Sequence, residues 1–170
     1  VYLAHWDWIL TQSRKDIVSN ISDSEFMAVC PPDVNKTELE KYYEITLDWK
    51  INRNKILDYS GIRNLRKIIK SLNCDDIVHI FTLKSGLLFA IANLFRKNKT
   101  KNILTVTGLG YLFSNKFKAK FLKIILGFFI KNLINKNFDF LMFQNGEDQK
   151  TFIKYSKYQG ETYIIPTSGI

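Results

Sequence analysis

Cysteine and histidine are scarce in this chain of 170 residues, which contains two of each. Cys30 and Cys74 each lie in a segment typical of a core strand or a helix end, which argues against the disulfide framework of a small secreted domain. Neither cysteine has a second one nearby, and His5 and His79 are far apart, so no local metal-binding motif exists. We therefore expect a protein of a reducing, cytoplasmic compartment without a structural zinc, while a metal site assembled from distant parts of the fold stays open.

Linkers and tails are also missing from the sequence. It has three prolines, eight glycines, no Pro- or Ser-rich stretch and no internal repeat. Its 46% hydrophobic content suffices for one packed core, which predicts a single domain over residues 1–170. No signal peptide is expected, because the apolar opening is interrupted at His5 and Asp7. The chain ends just after a predicted strand, which suggests that a second domain follows; a natural C-terminus is the alternative.

Acidic residues are outnumbered by basic ones, and the formal net charge is +9. Such a surface favours anionic partners, namely nucleic acid, acidic lipid or phosphorylated small molecules. Most aromatic residues lie inside apolar runs and do not alternate with Lys or Arg, as a platform for single-stranded nucleic acid would require. We therefore do not expect a nucleic acid partner.

Short apolar runs separated by stretches of helical periodicity predict the fold class. The pattern indicates a three-layer α/β/α, Rossmann-like domain with a mostly parallel sheet of about seven strands. The predicted strands cover residues 1–4, 26–30, 45–47, 77–81, 103–106, 140–143 and 163–165. The predicted helices cover residues 8–20, 54–73, 84–97, 117–135 and 147–157, with a short one near 37–40.

The ends of these strands are the predicted functional site, since ligands of open parallel sheets bind beyond the carboxyl ends. This rule selects segments 5–7, 82–86, 107–111, 144–148 and 167–169. Segment 107–111 contains a Gly-x-Gly pair but lacks the third glycine of a dinucleotide fingerprint, so NAD and FAD are not expected. Its glycines would let backbone N–H groups approach a phosphate or a sugar hydroxyl; an ordinary turn is the alternative.

Three charged or titratable side chains each allow a functional and a structural interpretation. Arg14, in the first predicted helix, could direct its guanidinium toward a phosphate at the strand ends or could simply be solvated. Lys84, at a helix start, is a candidate anion contact or only a helix-opening residue. His79, near the end of an apolar strand, is interpreted as a core histidine in preference to a catalytic base.

The segment from residue 116 to 136 is rich in lysine and large apolar side chains and nearly free of acid. On a helix its lysines form a narrow stripe beside a wide apolar face, which is typical of a helix that lies in a membrane interface. The apolar run is too short to span a bilayer. The alternative is a buried helix whose lysines reach outward. The predicted interfacial residues are Lys116, Phe117, Lys120, Phe121, Lys123, Phe128 and Lys131.

Several motifs, in this order along the chain, carry a resemblance to a known family. They are TQSR (11–14), DDIVH (75–79), TLKSG (82–86), TVTGLGY (105–111), FQN (143–145) with Asp148 and Phe152, and SGI (168–170). With these motifs the chain resembles the N-terminal domain of glycosyltransferase family 4, particularly the bacterial members that build capsule, O-antigen and other surface polysaccharides and lipid-linked oligosaccharides.

The resemblance implies a two-domain GT-B enzyme of which this chain supplies the acceptor side. The missing C-terminal domain would bind most of the nucleotide sugar and carry the acidic motif of the family, so the chain alone would be inactive. It implies a retaining, metal-independent transfer of a hexose or N-acetylhexosamine, with no cofactor, to a glycan linked to polyprenyl diphosphate. It also implies a peripheral position on the inner face of the cell membrane.

Carried over by position, the resemblance assigns roles to individual residues. Many relatives have a histidine where this chain has Thr107, so the sugar-contacting role of that histidine does not transfer. The acceptor-side residues are Arg14, Lys84, Thr107, Gly108, Gly110 and Tyr111, and the donor-side residues are Asn145, Ser168 and Gly169.

Two other classes remain open. A non-catalytic Rossmann-like ligand-binding domain, flavodoxin-like or half of a periplasmic-type receptor, would share the pattern of strands and helices. A sugar-nucleotide epimerase or dehydrogenase is disfavoured, because the chain lacks the nicotinamide fingerprint and a Tyr-x-x-x-Lys motif.

Overall fold

A seven-stranded sheet forms the centre of the molecule. The computed structural model describes residues 1–31, 36–55, 57–94, 96, 100–109, 127 and 131–166. The strands are β1 (Tyr2–Leu3), β2 (Met27–Cys30), β3 (Ile45–Asp48), β4 (Ile77–Phe81), β5 (Lys101–Val106), β6 (Phe140–Phe143) and β7 (Glu161–Ile164). They lie in the order β3-β2-β1-β4-β5-β6-β7, and each neighbouring pair is parallel. All seven predicted strands are therefore confirmed, as is the parallel sheet.

Helices connect the strands in nearly the predicted places. They are α1 (Trp8–Ser13), α2 (Lys15–Asn20), α3 (Lys36–Tyr42), α4 (Tyr59–Lys70), α5 (Leu83–Asn93), a helical segment that includes residues 131–137 (α6) and α7 (Gly146–Ser156). The predicted helix 8–20 is in fact two short helices, because Arg14 leaves helical geometry with φ −126° and ψ −12°. The predicted helix 54–73 begins only at Tyr59, after the capping residue Asp58.

The helices form two layers, one on each face of the sheet. The larger apolar cluster packs the four helices α4, α5, α6 and α7 against one face of the sheet, through Leu65, Leu88, Ile134 and Phe152 respectively. The smaller apolar cluster packs the three helices α1, α2 and α3 against the other face of the sheet. Right-handed crossovers explain this division, because connections leading from β1 toward β3 and from β4 toward β7 run in opposite directions across the sheet. The three-layer Rossmann-like architecture is therefore confirmed.

Close contacts fix the positions of α4 and α5. A side chain at Gly86 in α5 would place its Cβ 2.7 Å from the Leu104 Cδ1 atom, so only glycine lets α5 approach β5 this closely. Trp49, which follows β3, is fully buried and donates its indole N–H to the Gly61 carbonyl in α4 at 3.0 Å. These contacts hold α4 and α5 against the sheet.

The predicted membrane-interface helix is described only at its end. Lys131 is exposed, whereas Leu133 and Ile134 are buried in the larger apolar cluster. This part of the stretch therefore follows the alternative of a packed helix with an outward lysine. The other predicted interfacial residues, Lys116, Phe117, Lys120, Phe121, Lys123 and Phe128, lie outside the described residues. Within the described part of the chain, no helix is long and apolar enough to span a bilayer.

Candidate functional site

The candidate site lies at the edge of the sheet where all the strands end. Because the strands are parallel, the segments that follow them meet at the same edge, spaced about 5 Å apart from strand to strand. The direction of connection reverses between β1 and β4, and such a switch point opens a crevice between the following loops. His5 follows β1 and Thr82 follows β4, so they lie on the two sides of this point.

Three side chains join the two sides of the switch point. The His5 Nδ1 atom lies 2.9 Å from the Thr82 hydroxyl oxygen and 3.1 Å from that of Ser85. The two hydroxyl oxygens lie 3.2 Å apart. Both hydroxyls approach Nδ1, so the other ring nitrogen, Nε2, is the one that can serve a ligand. The sequence placed His5 and Thr82 at this edge, but it did not predict their contact.

Thr82 has an unusual backbone conformation for a residue with a side chain. Its φ is +76° and its ψ is 148°, a region occupied almost only by glycine, and strain of this kind collects at functional sites. Its N–H donates to the Thr105 carbonyl at 2.9 Å, and its hydroxyl caps α5 by accepting from the Ser85 N–H. These bonds offset the strain and fix the hydroxyl that contacts His5.

His5 is neutral at physiological pH. Burial, followed by the positive charges of Lys84 and Arg53, lowers its pKa to about 4. A neutral imidazole can accept a hydrogen bond from a hydroxyl or donate one to an oxygen, depending on its tautomer. His5 therefore suits the hydroxyl groups of a polar ligand.

The loop that follows β3 brings Arg53, a second cation besides Lys84, to the neighbourhood of His5. The Asp58 carboxylate accepts the Asn52 N–H at 2.7 Å and the Ser60 N–H at 3.3 Å. Burial alone would raise the pKa of Asp58, but these donors outweigh it and lower the pKa. The anchored loop presents its Arg53 carbonyl to the Lys84 ammonium, which donates a hydrogen bond to it. Arg53 and Lys84 are thereby held next to each other.

The Arg53 side chain also packs on an aromatic residue of the first loop. Its guanidinium carbon lies 4.0 Å from the centre of the Trp6 ring, a close cation–π contact. Trp6 follows His5, and their rings meet edge to face at 6.2 Å. Trp6, Arg53, Lys84 and His5 thus form one connected group, which we call the Trp6 cluster.

Thr107 and Gly108 occupy the next position along the edge. They follow β5, which pairs with β4, so they lie one strand away from Thr82. Gly108 has a φ of +75°, which favours glycine, and no atom of the described residues lies within 4 Å of the place where a Cβ would be. Within the described part of the chain, a ligand can therefore approach its backbone. Gly110 and Tyr111, predicted for the same segment, lie outside the described residues.

Asn145 lies at the same edge after β6, two strands from Thr82. Its side chain caps α7, accepting the Asp148 N–H at 2.8 Å and donating to the Asp148 carboxylate at 3.0 Å. Asn145 thus has a local structural role, and contact with a donor stays a prediction. Ser168 and Gly169, the other donor-side residues, lie outside the described residues.

Arg14 contacts aromatic side chains of the sheet. Its guanidinium carbon is 4.8 Å from the centre of the Phe81 ring, and burial lowers its pKa, against the opposing effect of the nearby Tyr2 and Tyr43. These rings belong to the face of the sheet covered by α1 to α3. Arg14 is therefore not in the Trp6 cluster, and its predicted role with the acceptor gains no support from its position.

His79 and Cys30 have structural surroundings. The His79 Nε2 atom lies 2.7 Å from the Thr105 hydroxyl, and burial together with the charge of Arg14 lowers its pKa to about 3. The interpretation of His79 as a core histidine agrees with this position. Burial raises the pKa of Cys30 to about 12, so its thiol is not a nucleophile at neutral pH.

Arg53 and the loop that follows β3 were not predicted from the sequence as part of the site. The rule that selected the ends of other strands applies equally to β3, and it could have included this loop. The strand order alone does not bring this loop to the switch point, because β3 is an edge strand and two strands separate it from β4. Only the folded loop brings Arg53 to Trp6 and Lys84.

The Trp6 cluster combines two cations, a neutral imidazole and an exposed indole, and the hydroxyls of Thr82 and Ser85 lie beside it. Such groups bind oxygen-rich anions through hydrogen bonds and charge. Within the described residues, no three His, Cys, Asp or Glu side chains gather as a metal site would require.

Comparison with known proteins adds a sequence relationship to this geometry. A family model described as Glycosyl transferase 4-like matches residues 1–145. The matched region contains the Trp6 cluster, Thr107, Gly108 and Asn145. A search of curated proteins finds no match.

Proposed function

The chain belongs to the glycosyl transferase 4-like family, and we propose that it supplies the acceptor side of a retaining glycosyltransferase. The enzyme would transfer a hexose or N-acetylhexosamine from a nucleotide sugar to a glycan carried on polyprenyl diphosphate. Surface polysaccharide synthesis is the proposed setting.

One observation carries the proposal more than any other. At the switch point between β1 and β4, the neutral His5 is held by Thr82 and Ser85 beside the cations Arg53 and Lys84. A sugar joined to phosphate needs hydroxyl-binding groups next to positive charge, and this arrangement provides both. Neither a plain structural turn nor an ordinary solvated surface requires such a combination.

The proposed chemistry depends mainly on positioning. The acceptor oxygen bonds to the anomeric carbon on the face from which the diphosphate leaves, and the acceptor proton passes to an oxygen of that diphosphate. Fixed donors near the developing negative charge stabilise the transition state. We propose that Lys84, Thr107 and the open backbone at Gly108 hold the acceptor.

A second domain would complete the enzyme. The proposal places the nucleotide of the donor on that domain, facing the edge of the sheet at Thr107, Gly108 and Asn145. The space that the described residues leave beside Gly108 supports a site that closes against another surface. No metal or cofactor is required by this scheme.

The membrane position is proposed on charge and chemistry. A polyprenyl-linked acceptor is held at the bilayer, and the net charge of +9 favours an anionic surface. The exposed Lys131 supports a basic surface near α6. Sedimentation with phosphatidylglycerol liposomes tests this, and Lys120, Lys123 and Lys131 changed together to Glu should reduce binding. Binding equal to that of the unchanged protein would remove the membrane from the proposal.

Transfer itself is tested with a panel of nucleotide sugars and a short-chain polyprenyl-diphosphate glycan. The product should keep the anomeric configuration of the donor, as read from the NMR coupling of the new linkage. Lys84→Met should lower kcat/KM at least tenfold, whereas Lys154→Met, in the last turn of α7, should leave it unchanged. Ligand binding without transfer by the complete protein would instead favour a non-catalytic sugar-binding domain.

A further inference from the structure

Trp6 is a large apolar side chain that remains exposed at the functional edge. Its relative exposure is 39%, although burial of an indole would stabilise the fold. Arg53 covers one face of the ring at 4.0 Å. With Arg53 on one face, the exposed Trp6 side chain can still be contacted by a ligand at this edge.

The orientation of this indole is fixed before a ligand arrives. Arg53 supports one face, and the His5 ring meets Trp6 edge to face. His5 is in turn held by Thr82 and Ser85 across the switch point. Binding to a prearranged side chain avoids part of the entropy cost of ordering it.

Positive charge accompanies the indole. The Arg53 carbonyl accepts only one hydrogen of the Lys84 ammonium, and the other two can serve a ligand. The guanidinium of Arg53, which lies over the Trp6 ring, provides a second charge. Phosphate oxygens are the acceptors that suit this pair.

A pyranose has an apolar face formed by its C–H groups, and such a face packs well on an indole. A sugar linked to phosphate would thus place its ring on Trp6 and its phosphate toward Arg53 and Lys84. We propose that the Trp6 cluster is a subsite for a glycosyl phosphate, with Trp6 as the platform for the sugar ring. This inference rests on the proposed function and adds the class of ligand and two residues, Trp6 and Arg53.

Direct binding tests the subsite without requiring transfer. The probes are α-glucose 1-phosphate and N-acetyl-α-glucosamine 1-phosphate, with methyl α-glucoside and inorganic phosphate as their separate halves. Titrations followed by NMR should give at least tenfold tighter binding for one of the glycosyl phosphates than for either half. The chain has three tryptophans, and the indole N–H signal of Trp6 should shift most.

Variants separate the roles of the cluster residues. Trp6→Ala should weaken binding of the glycosyl phosphate at least fivefold, Trp6→Phe should keep most of it, and Trp8→Ala is the matched control because Trp8 is 45% exposed. Lys84→Met and Arg53→Met should weaken glycosyl phosphate binding at least fivefold. Lys84→Met should leave binding of methyl α-glucoside unchanged. Equal binding by Trp6→Ala and the unchanged protein, or no binding of either glycosyl phosphate, would overturn the subsite.

A glycosyl phosphate occurs in both the donor and the polyprenyl-linked acceptor, and a transfer assay distinguishes them. An increased KM for the acceptor alone in Trp6→Ala places the acceptor sugar on the indole, and an increased KM for the donor alone places the donor sugar there. Unchanged KM values for both, with transfer intact, would refute the subsite while leaving the proposed function standing. Absence of transfer in the complete enzyme would refute the function, and the titrations would still decide on the subsite.

Discussion

The Nδ1 atom of His5 and the hydroxyl oxygen of Thr82 lie 2.9 Å apart, although 77 positions separate the two residues in the chain. The contact joins the ends of β1 and β4, where the direction of the sheet connections reverses. It also fixes His5 beside Arg53 and Lys84, whose charges help to keep the imidazole neutral. This single contact therefore organises the candidate site.

The first prediction concerns the strained backbone of Thr82. Thr82→Gly should relieve about 1–3 kcal/mol of strain but lose hydrogen bonds worth about 1 kcal/mol each. We therefore expect urea unfolding to change little while activity falls at least tenfold, because His5 loses the nearer of its two hydroxyl partners. Thr82→Ser keeps the hydroxyl and should retain more activity than the glycine variant. Full activity of Thr82→Gly would contradict a positioning role for this hydroxyl.

The second prediction uses the capping residue of α4. Asp58→Ala should lower the free energy of unfolding by about 2 kcal/mol, because it removes a helix cap and leaves the Asn52 N–H without its acceptor. The loop that carries Arg53 should loosen, and binding of glycosyl phosphate should weaken. Chemical denaturation and NMR titration measure the two effects. The control Asp23→Ala removes an exposed carboxylate and should change stability by less than about 0.5 kcal/mol.

The third prediction concerns His79 and pH. Its folded pKa of about 3 lies below the ordinary value of 6.5, so the unfolded chain binds a proton first as the pH falls. The contribution of neutral His79 to the free energy of unfolding is therefore fully present above pH 6.5, and it decreases as the pH falls toward 3. Between pH 7 and pH 5 this amounts to about 2 kcal/mol. Urea unfolding of His79→Gln should show a smaller loss over this range, and an identical pH dependence would contradict the assignment.

The fourth prediction concerns the two thiols, which are both free. Cys74 is exposed, whereas Cys30 is buried with a pKa raised to about 12. A thiol reagent should thus label one cysteine quickly in the folded protein and both after unfolding in urea. Mass spectrometry of the labelled peptides identifies the site. Rapid labelling of Cys30 under native conditions would indicate that the layer formed by α1 to α3 opens readily.

Local patterns in the sequence were sufficient to predict the sheet. The central strands are short, mostly apolar runs, and runs without polar alternation indicate strands covered on both faces, as the inner strands of a parallel sheet are. The order of strands and helices then limits the connections to a few topologies. The same reasoning located His5, Thr82, Lys84, Gly108 and Asn145 at the carboxyl ends of strands. Helix boundaries were less certain, because the Asp58 side chain decides where α4 begins and the backbone at Arg14 leaves helical geometry between α1 and α2.

The sequence by itself determined the fold class and the edge of the sheet where chemistry can occur, because hydrophobic periodicity and strand direction are local properties. The tertiary structure alone decided which side chains meet there. It brought Arg53 from an edge-strand loop onto Trp6, and it placed the Arg14 guanidinium over the Phe81 ring. Such contacts depend on the path of a loop and on side-chain direction across strands that are distant in sequence. No local pattern of residues encodes them.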